Sequence, residues 1–124
     1  MSLRLNVLPG LFAVCRLPPN EEIPRWAKGA VVSICRSADE LSVICEQQDV
    51  PLSTLHSRDW ACLMLVGPFP LDAVGVLDSV LRPLAAAGIN IMAFSSYDTD
   101  YLLVPEMRLE RSKDVLRAAG FSVI

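Results

Sequence analysis

Two carboxylates and a tyrosine lie close together in the polar segment Ser95–Asp100, which has the sequence SSYDTD. Apolar runs flank this segment on both sides, at Ile89–Phe94 and Tyr101–Val104. A carboxylate pairs well with an ammonium or guanidinium group, so Asp98 or Asp100 is a candidate for binding a cation. The same residue types also suit a plain turn, because Asp and Thr side chains hydrogen-bond to the neighbouring backbone. From the spacing alone, both interpretations stay open.

A second chemical feature is the bend Gly67–Pro70, with the sequence GPFP, which follows an apolar strand and precedes a predicted helix. The free N–H groups at a helix N-terminus attract an anion. Gly67 would let a ligand approach the backbone closely. A pocket that combines these donors with the carboxylate of Asp98 or Asp100 would fit a zwitterion.

Catalysis receives little support from the sequence. No His, Cys or Lys stands near Asp98 and Asp100 as a partner base. The chain also has no G-x-S-x-G sequence, phosphate-binding loop or dinucleotide fingerprint. A pair of glycosidase acids would need a sugar cleft, which so short a chain hardly provides. We therefore predict a protein that is not an enzyme and has no catalytic residues.

The cysteines and the single histidine indicate neither a disulfide nor a metal site. None of the four cysteines is spaced C-x-x-C, and all lie in apolar runs; they are Cys15, Cys35, Cys45 and Cys62. This pattern favours small, reduced core residues in a cytoplasmic protein. His56 has no second His and no close Cys, so we predict a solvated loop residue and no metal or other cofactor.

Composition limits the class of protein. The chain has 124 residues, 52% of them hydrophobic and 20% charged, which suits one compact domain or two small half-domains. A net charge of −3 and the lack of a basic patch argue against nucleic acid and an anionic membrane surface. No apolar run approaches the roughly 20 residues of a membrane span. Asn6 and Pro9-Gly10 interrupt the N-terminal apolar stretch, which argues against a signal peptide.

The second half of the chain has the pattern of one folding unit. Its predicted elements are the strand Trp60–Val66, the helix Leu71–Ala87, a hairpin of Ile89–Ser96 and Asp100–Val104, the helix Leu109–Ala119 and the strand Phe121–Ile124. Gly88 should end the first helix, while Pro83 should kink it or end it early. The order β-α-β-β-α-β predicts an α+β, ferredoxin-like fold with a four-stranded antiparallel sheet.

The first half looks like a reduced copy of the second. We expect a hairpin of Leu3–Val7 and Leu11–Leu17, one helical turn in Ile23–Lys28, a second hairpin within Ala30–Gln47 and a linker at Gln48–Asp59. A shift of sixty positions places Val31–Glu46 on Ile91–Glu106 with matching apolar strands. The predicted domains are therefore residues 1–58, with one short helix, and residues 59–124.

The stretch DWACLMLVGPFPLDAVGVLDSVLRPLAAAGINIMAFSSYDTDYLLV (Asp59–Val104) resembles the ACT domain. More narrowly, it is similar to small bacterial double-ACT proteins related to the eukaryotic cytosolic arginine sensors. The first half shares the similarity through LRLNVLPGLFAVCRLPP and ADELSVICEQQDVP. Ser96 stands where the family pattern usually has Thr.

The resemblance implies tandem ACT units and a small-molecule ligand, commonly an amino acid, bound between two such units. It also implies a regulatory, non-catalytic role and a homodimer. Matched by motif, it makes Ser96, Tyr97 and Asp100 candidate contacts, with Asp100 the best candidate for a cationic group. The full predicted ligand-binding set is Gly67, Pro68, Phe69, Ser96, Tyr97, Asp98 and Asp100. An assembly module that pairs through the same fold without a ligand is the alternative.

Overall fold

The computed structural model describes residues 3–124 and contains eight strands and two α-helices. The strands are β1 Arg4–Val7, β2 Phe12–Leu17, β3 Ser33–Arg36, β4 Leu41–Glu46, β5 Leu55–Leu65, β6 Met92–Ser95, β7 Asp100–Pro105 and β8 Ser122–Val123. The helices are α1 Val76–Ala86 and α2 Leu109–Ala118. Short 3₁₀ turns follow β4 at Gln47–Asp49 and β7 at Glu106–Arg108.

The chain divides into two compact units. Residues 3–9 and Ala61–Ile124 form the C-terminal unit, and Gly10–Trp60 forms the N-terminal unit. The last residues of β5 belong to the C-terminal unit, and its early residues belong to the N-terminal unit. The domain boundary between residues 58 and 59, which the sequence suggests, stays a prediction.

The C-terminal unit has the predicted α+β, ferredoxin-like order β5-α1-β6-β7-α2-β8. Its strands lie in the order β8-β1-β5-β7-β6, so β1 is inserted between the first and last strands of that pattern. Leu5 pairs with Leu65 in the antiparallel direction and with Val123 in the parallel direction. The sheet therefore has five strands and one parallel pair, where the sequence predicted four antiparallel strands.

Burial of apolar side chains holds this unit together. Helices α1 and α2 contact each other, and each buries two side chains on one face, Val80 with Leu84 and Ser112 with Leu116. The hydroxyl of Ser112 donates to the Arg108 carbonyl at 2.7 Å, which satisfies a buried polar group. Leu102, Leu103 and Val104 of β7 are also fully buried.

The boundaries of α1 differ from the predicted helix Leu71–Ala87. Gly75 has a left-handed backbone (φ 82), which interrupts any helix that begins at Leu71. Leu71 and Val74 are exposed by 71% and 96%, so their helical spacing does not mark a core face. Pro83 lies inside the helix, which continues to Ala86. Of the two effects predicted for Pro83, an early end of the helix was therefore wrong, and a kink stays a prediction.

Gly88 ends α1 as predicted. It has φ 75, and its N–H donates to the Ala85 carbonyl at 3.0 Å. The N–H of Ile89 reaches the Leu84 carbonyl at 3.0 Å, which completes a Schellman motif.

The N-terminal unit contains the sheet β3-β4-β2-β5. Its core consists of strand residues and one loop residue: Ala13, Cys15, Leu17, Leu41, Val43, Cys45 and Val50. Trp26 packs against this core from a segment that forms only a tight turn, with Ala27 N–H donating to the Pro24 carbonyl at 3.1 Å. A helical turn in Ile23–Lys28 was therefore a wrong prediction.

Two further sequence predictions need correction. β1 and β2 do not form a hairpin, because β1 pairs with β5 and β8 while β2 pairs with β4 and β5. The predicted linker Gln48–Asp59 contains the start of β5 at Leu55. The predicted internal repeat is present with a different register. β3 begins at Ser33 and β6 at Met92, so the two hairpins recur 59 residues apart, where the sequence alignment used a shift of sixty. Each hairpin precedes a 3₁₀ turn.

Candidate functional site

A cavity of about 360 Å³ lies within the C-terminal unit, between the segment that follows β5 and the β6–β7 turn. Five of the seven predicted ligand-binding residues line it: Phe69, Ser96, Tyr97, Asp98 and Asp100. The other lining residues are Pro70, Leu71, Ala73, Gly75, Val76, Leu77, Asp78, Ser95 and Thr99. We call this the first cavity.

The remaining two predicted residues, Gly67 and Pro68, line a second cavity of about 350 Å³. Its walls also include Met64, Leu65, Val66 and Tyr101. Three residues of the β6–β7 turn line both cavities: Ser96, Asp98 and Thr99. The turn therefore separates two adjacent cavities, and the predicted set does not meet in one place.

Two hydrogen bonds fasten the bend Gly67–Pro70 and the end of β5 to the β6–β7 turn. The N–H of Phe69 donates to the Asp98 carbonyl at 2.8 Å. The hydroxyl of Thr99 donates to the Leu65 carbonyl at 2.6 Å. The Phe69 N–H is thus already paired and is not a free donor for an anion. This role of Thr99 was not predicted, because it depends on contact with Leu65, a residue distant in the chain.

Gly67 is needed where the bend approaches the turn. A Cβ at this position would lie 3.0 Å from the Phe69 nitrogen and 3.1 Å from the Asp98 carbonyl oxygen. Few real Cβ atoms approach other atoms so closely. Gly67 therefore serves close backbone packing in this structure.

The free donors expected at the bend lie instead at the N-terminus of α1. Gly75 is the N-cap of the helix, and no side chain of the described residues, 3–124, caps it. Gly75, Val76, Leu77 and Asp78 all line the first cavity. The first N–H groups of a helix have no partner inside the helix, and they carry its positive partial charge. The helix N-terminus that was predicted to attract an anion therefore begins five residues later than expected, and its first residues line the first cavity.

Three carboxylates line the first cavity, and their surroundings differ. Asp78 forms an exposed ion pair with Arg82 at 2.8 Å, and the hydrogen bond to Asp78 raises the pKa of the Arg82 guanidinium. Asp100 accepts a hydrogen bond from the Ser95 hydroxyl. For Asp98, no side-chain hydrogen bond or ion pair is found within residues 3–124. Within residues 3–124, Asp78 is thus the only one of these three carboxyl groups with a cationic side chain beside it.

The β6–β7 hairpin fixes where these groups point. Phe94 and Tyr101 are paired across the strands, and their rings stack with centroids 5.0 Å apart and planes 10° apart. The next pair, Ser95 and Asp100, points to the opposite face because side chains alternate along a strand. Accordingly, Asp100 lines the first cavity and Tyr101 lines the second. Asp98 lies in the turn, outside this alternation, and lines the first cavity together with Asp100.

His56 and the cysteines lie outside both cavities. His56 belongs to β5, and its Nδ1 is 2.6 Å from the Thr54 carbonyl oxygen, so the prediction of a solvated loop residue was wrong. Cys15, Cys45 and Cys62 are buried free thiols, whereas Cys35 is exposed. Burial raises the pKa of Cys62 to about 12. The pKa of Cys15 is also raised, mainly by a hydrogen bond with Cys45 and secondly by burial.

Metal-binding clusters and membrane-spanning helices are both absent from the described residues, 3–124. No group of three or more His, Cys, Asp or Glu side chains is arranged to hold a metal ion. None of the helices there has the length and apolar character needed to cross a membrane.

Comparisons with known proteins complete the description of the site. The model of the ACT domain family matches residues 55–118, and a model of an N-terminal domain matches residues 10–53. A search of curated proteins gave no match.

Solved structures similar to the chain include a protein from Agobacterium tumefaciens, with 38% identity and a TM-score of 0.93 over 100% of this chain and 93% of that one. A Vibrio cholerae protein of unknown function, described as a possible transport protein, has 16% identity and a TM-score of 0.77 over 96% and 91% of the two chains. The regulatory subunit of aspartate kinase from Thermus flavus has 13% identity and a TM-score of 0.63 over 96% and 97%. The last two similarities show a shared fold.

The ACT model covers just over half of the chain, including the bend, α1 and the β6–β7 turn that build the first cavity. The sequence-predicted order of strands and helices in that region agrees with the structure. This chain belongs to the ACT domain family.

Proposed function

We propose that the protein is a non-catalytic regulatory ACT protein that binds a small molecule, an amino acid, in the first cavity. The observation that carries the proposal is the combination of a free helix N-terminus and two uncompensated carboxylates in one cavity. A zwitterion needs both kinds of group. Its carboxylate suits the N–H groups of α1, and its cationic group suits Asp98 or Asp100.

The size of the cavity supports a small ligand. A volume of about 360 Å³ is near the lower end of the range of roughly 300–1,000 Å³ for small-molecule sites. The predominance of acidic over basic side chains also disfavours an anion such as a nucleotide, because repulsion from Asp98 and Asp100 opposes its entry. An amino acid with a net positive charge is the favoured class.

A non-catalytic role agrees with the chemistry of the lining. The side chains that line the first cavity include carboxylates, hydroxyls and one phenol. Among the described residues, 3–124, no His, Cys or Lys contributes to this lining. A general base or nucleophile would need a suitably placed partner group. The Thermus flavus protein of the same fold is a regulatory subunit, which adds support for regulation.

We propose that the protein acts as a cytoplasmic homodimer and engages neither nucleic acid nor a membrane. Assembly without a ligand is the second candidate. The edge strand β6, which pairs only with β7 in the described chain, favours it. Met92 on this strand is 37% exposed, and β6 carries no charge or proline that would discourage pairing with another strand.

A thermal-shift screen tests the proposal. The purified protein is heated with each proteinogenic amino acid, ornithine or agmatine at millimolar concentration. A ligand at about a hundred times its dissociation constant should add roughly 2.7 kcal/mol to the free energy of unfolding. Asp100→Asn should remove this stabilisation, while Asp114→Asn, an exposed carboxylate on α2, should keep it. A melting temperature unchanged by every compound would favour the assembly candidate.

A further inference from the structure

Ser95 lines the first cavity and hydrogen-bonds Asp100, although its role was not among the sequence predictions. Its hydroxyl donates to Oδ1 of Asp100. The two residues form the last pair of the β6–β7 ladder. Opposed side chains of an antiparallel pair are close enough to interact, so this contact is built into the hairpin.

The contact distinguishes Asp100 from the other two carboxylates of the cavity. Asp78 has its charge balanced by Arg82, and the side chain of Asp98 has no hydrogen bond in the described chain to hold it. The donor on Asp100 is a neutral hydroxyl, which orients the carboxylate without cancelling its charge. Asp100 is therefore the carboxylate that is both charged and held in one direction.

A fixed direction matters for binding. A carboxylate that is already oriented loses less conformational entropy when a ligand cation binds to it. The Ser95 hydroxyl uses Oδ1, and Oδ2 of Asp100 has no hydrogen bond within residues 3–124, so Oδ2 keeps its acceptor positions. The stacked Phe94 and Tyr101 rings on the opposite face keep the hairpin in register and so support the same geometry.

We propose that Ser95 is a positioning residue that holds Asp100 so that its second oxygen receives the cationic group of the ligand. This inference rests on the proposed function, because it concerns the same cavity. It adds a residue that sets selectivity for a cation without contacting the ligand. Ser95→Ala should weaken binding of a cationic ligand roughly tenfold, because the ligand would then have to immobilise the Asp100 side chain as it binds.

The first arm of the test needs no ligand. Three-bond NMR couplings to the Asp100 carboxyl carbon report whether its side chain keeps one rotamer. In the unbound protein, we expect one rotamer in the wild type and in Ser95→Thr, which keeps the hydroxyl. We expect averaging in Ser95→Ala. Ser122→Ala, an exposed serine on β8, is the matched control and should behave as the wild type.

The second arm compares three ligands by isothermal titration calorimetry. Arginine carries both cationic groups, citrulline lacks the guanidinium, and Nα-acetylarginine lacks the α-ammonium. Ser95→Ala should bind arginine more weakly than the wild type does. One of the two analogues lacks the cationic group that Asp100 binds, and for that analogue the variant and the wild type should have equal affinity. Ser95→Thr should restore the affinity for arginine.

The outcomes separate this inference from the proposed function. A single Asp100 rotamer in Ser95→Ala would overturn the positioning role, and so would an equal loss of affinity for all three ligands. Asp100 averaging together with a cation-specific loss would support it. If arginine does not bind the wild type, that counts against the proposed function. Averaging of Asp100 in Ser95→Ala would then still support the positioning role.

Discussion

Substituting Gly67 by alanine tests the close contact between the bend and the β6–β7 turn. The new Cβ would lie 3.0 Å from the Phe69 nitrogen and 3.1 Å from the Asp98 oxygen, two atoms that now share a 2.8 Å hydrogen bond. Gly67 does not have a positive φ. The substitution therefore tests the contact and not a left-handed backbone.

Two opposing effects set the expected magnitude. Forcing the bend and the turn apart should cost about 2–3 kcal/mol through overpacking and a weakened hydrogen bond. Removing a glycine also makes the unfolded chain less flexible, which should stabilise the protein by up to about 1 kcal/mol. The net loss should be about 1–3 kcal/mol, or roughly 4–12 °C in melting temperature for a chain of this size.

Urea unfolding gives the free energy, and hydrogen exchange at the Phe69 amide locates the effect. We expect Gly67→Ala to lower both the stability and the protection of that amide. Gly88→Ala is the control, since its Cβ would meet nothing within 4 Å and its cost comes only from φ 75. It should leave the Phe69 amide protected. A Gly67→Ala protein that is as stable as the wild type, with Phe69 still protected, would refute the close approach.

Other substitutions test the turn, the core and the buried thiol. Thr99→Val removes the donor to the Leu65 carbonyl and should lower the urea-unfolding free energy by about 1–2 kcal/mol; an equal loss in Thr99→Ser would contradict this. Leu84→Ala removes a fully buried side chain on α1 and should lower the free energy of unfolding by about 2–5 kcal/mol. Leu71→Ala removes an exposed side chain and should change this free energy little. The pKa of Cys62 is raised from 9.0 to about 12. Below pH 9 the thiol is protonated in both states. Between about pH 9 and 12 the unfolded thiol ionises first, so stability should fall by up to about 1.4 kcal/mol per pH unit. Cys62→Ala should show a shallower fall, and an identical pH dependence would argue against this effect.

Local sequence signals predicted the ends of helices well where a glycine follows the last turn. Gly88 and Gly120 both close helices through hydrogen bonds from the following residues. The β6–β7 hairpin also follows the apolar pattern, with Asp100 as the first residue of β7, as predicted. These features depend on a few neighbouring residues, so a single sequence contains enough information to identify them.

Features that depend on distant residues were not predicted. Leu5 is fully buried between Leu65 and Val123, and nothing in the segment around β1 identifies either partner. The apolar residues Leu71 and Val74 matched a helical period, but the left-handed Gly75 places the helix start after them. Periodicity does not show which apolar residues find a partner to bury them.

Only part of the candidate site was predicted, because the rest of it depends on contacts between residues distant in the chain. The residue types in Ser95–Asp100 pointed to a cation, and five predicted residues line one cavity. The donors were placed at the bend, whereas the Phe69 N–H is occupied by Asp98 and the free donors begin at α1. The contribution of Ser95 appeared only once the hairpin register was known.

An NMR titration of ¹⁵N-labelled protein with the amino acid that gives the largest thermal shift, or with arginine if none does, tests the central claim most directly. The account predicts saturable shifts at the amides of Gly75, Val76 and Leu77 and at those of Ser96–Asp100, because both groups line the first cavity. The same titration of Asp100→Asn should show much weaker binding. Unchanged spectra, or saturable shifts confined to Gly10–Trp60, would contradict the assignment of the first cavity as an amino-acid site.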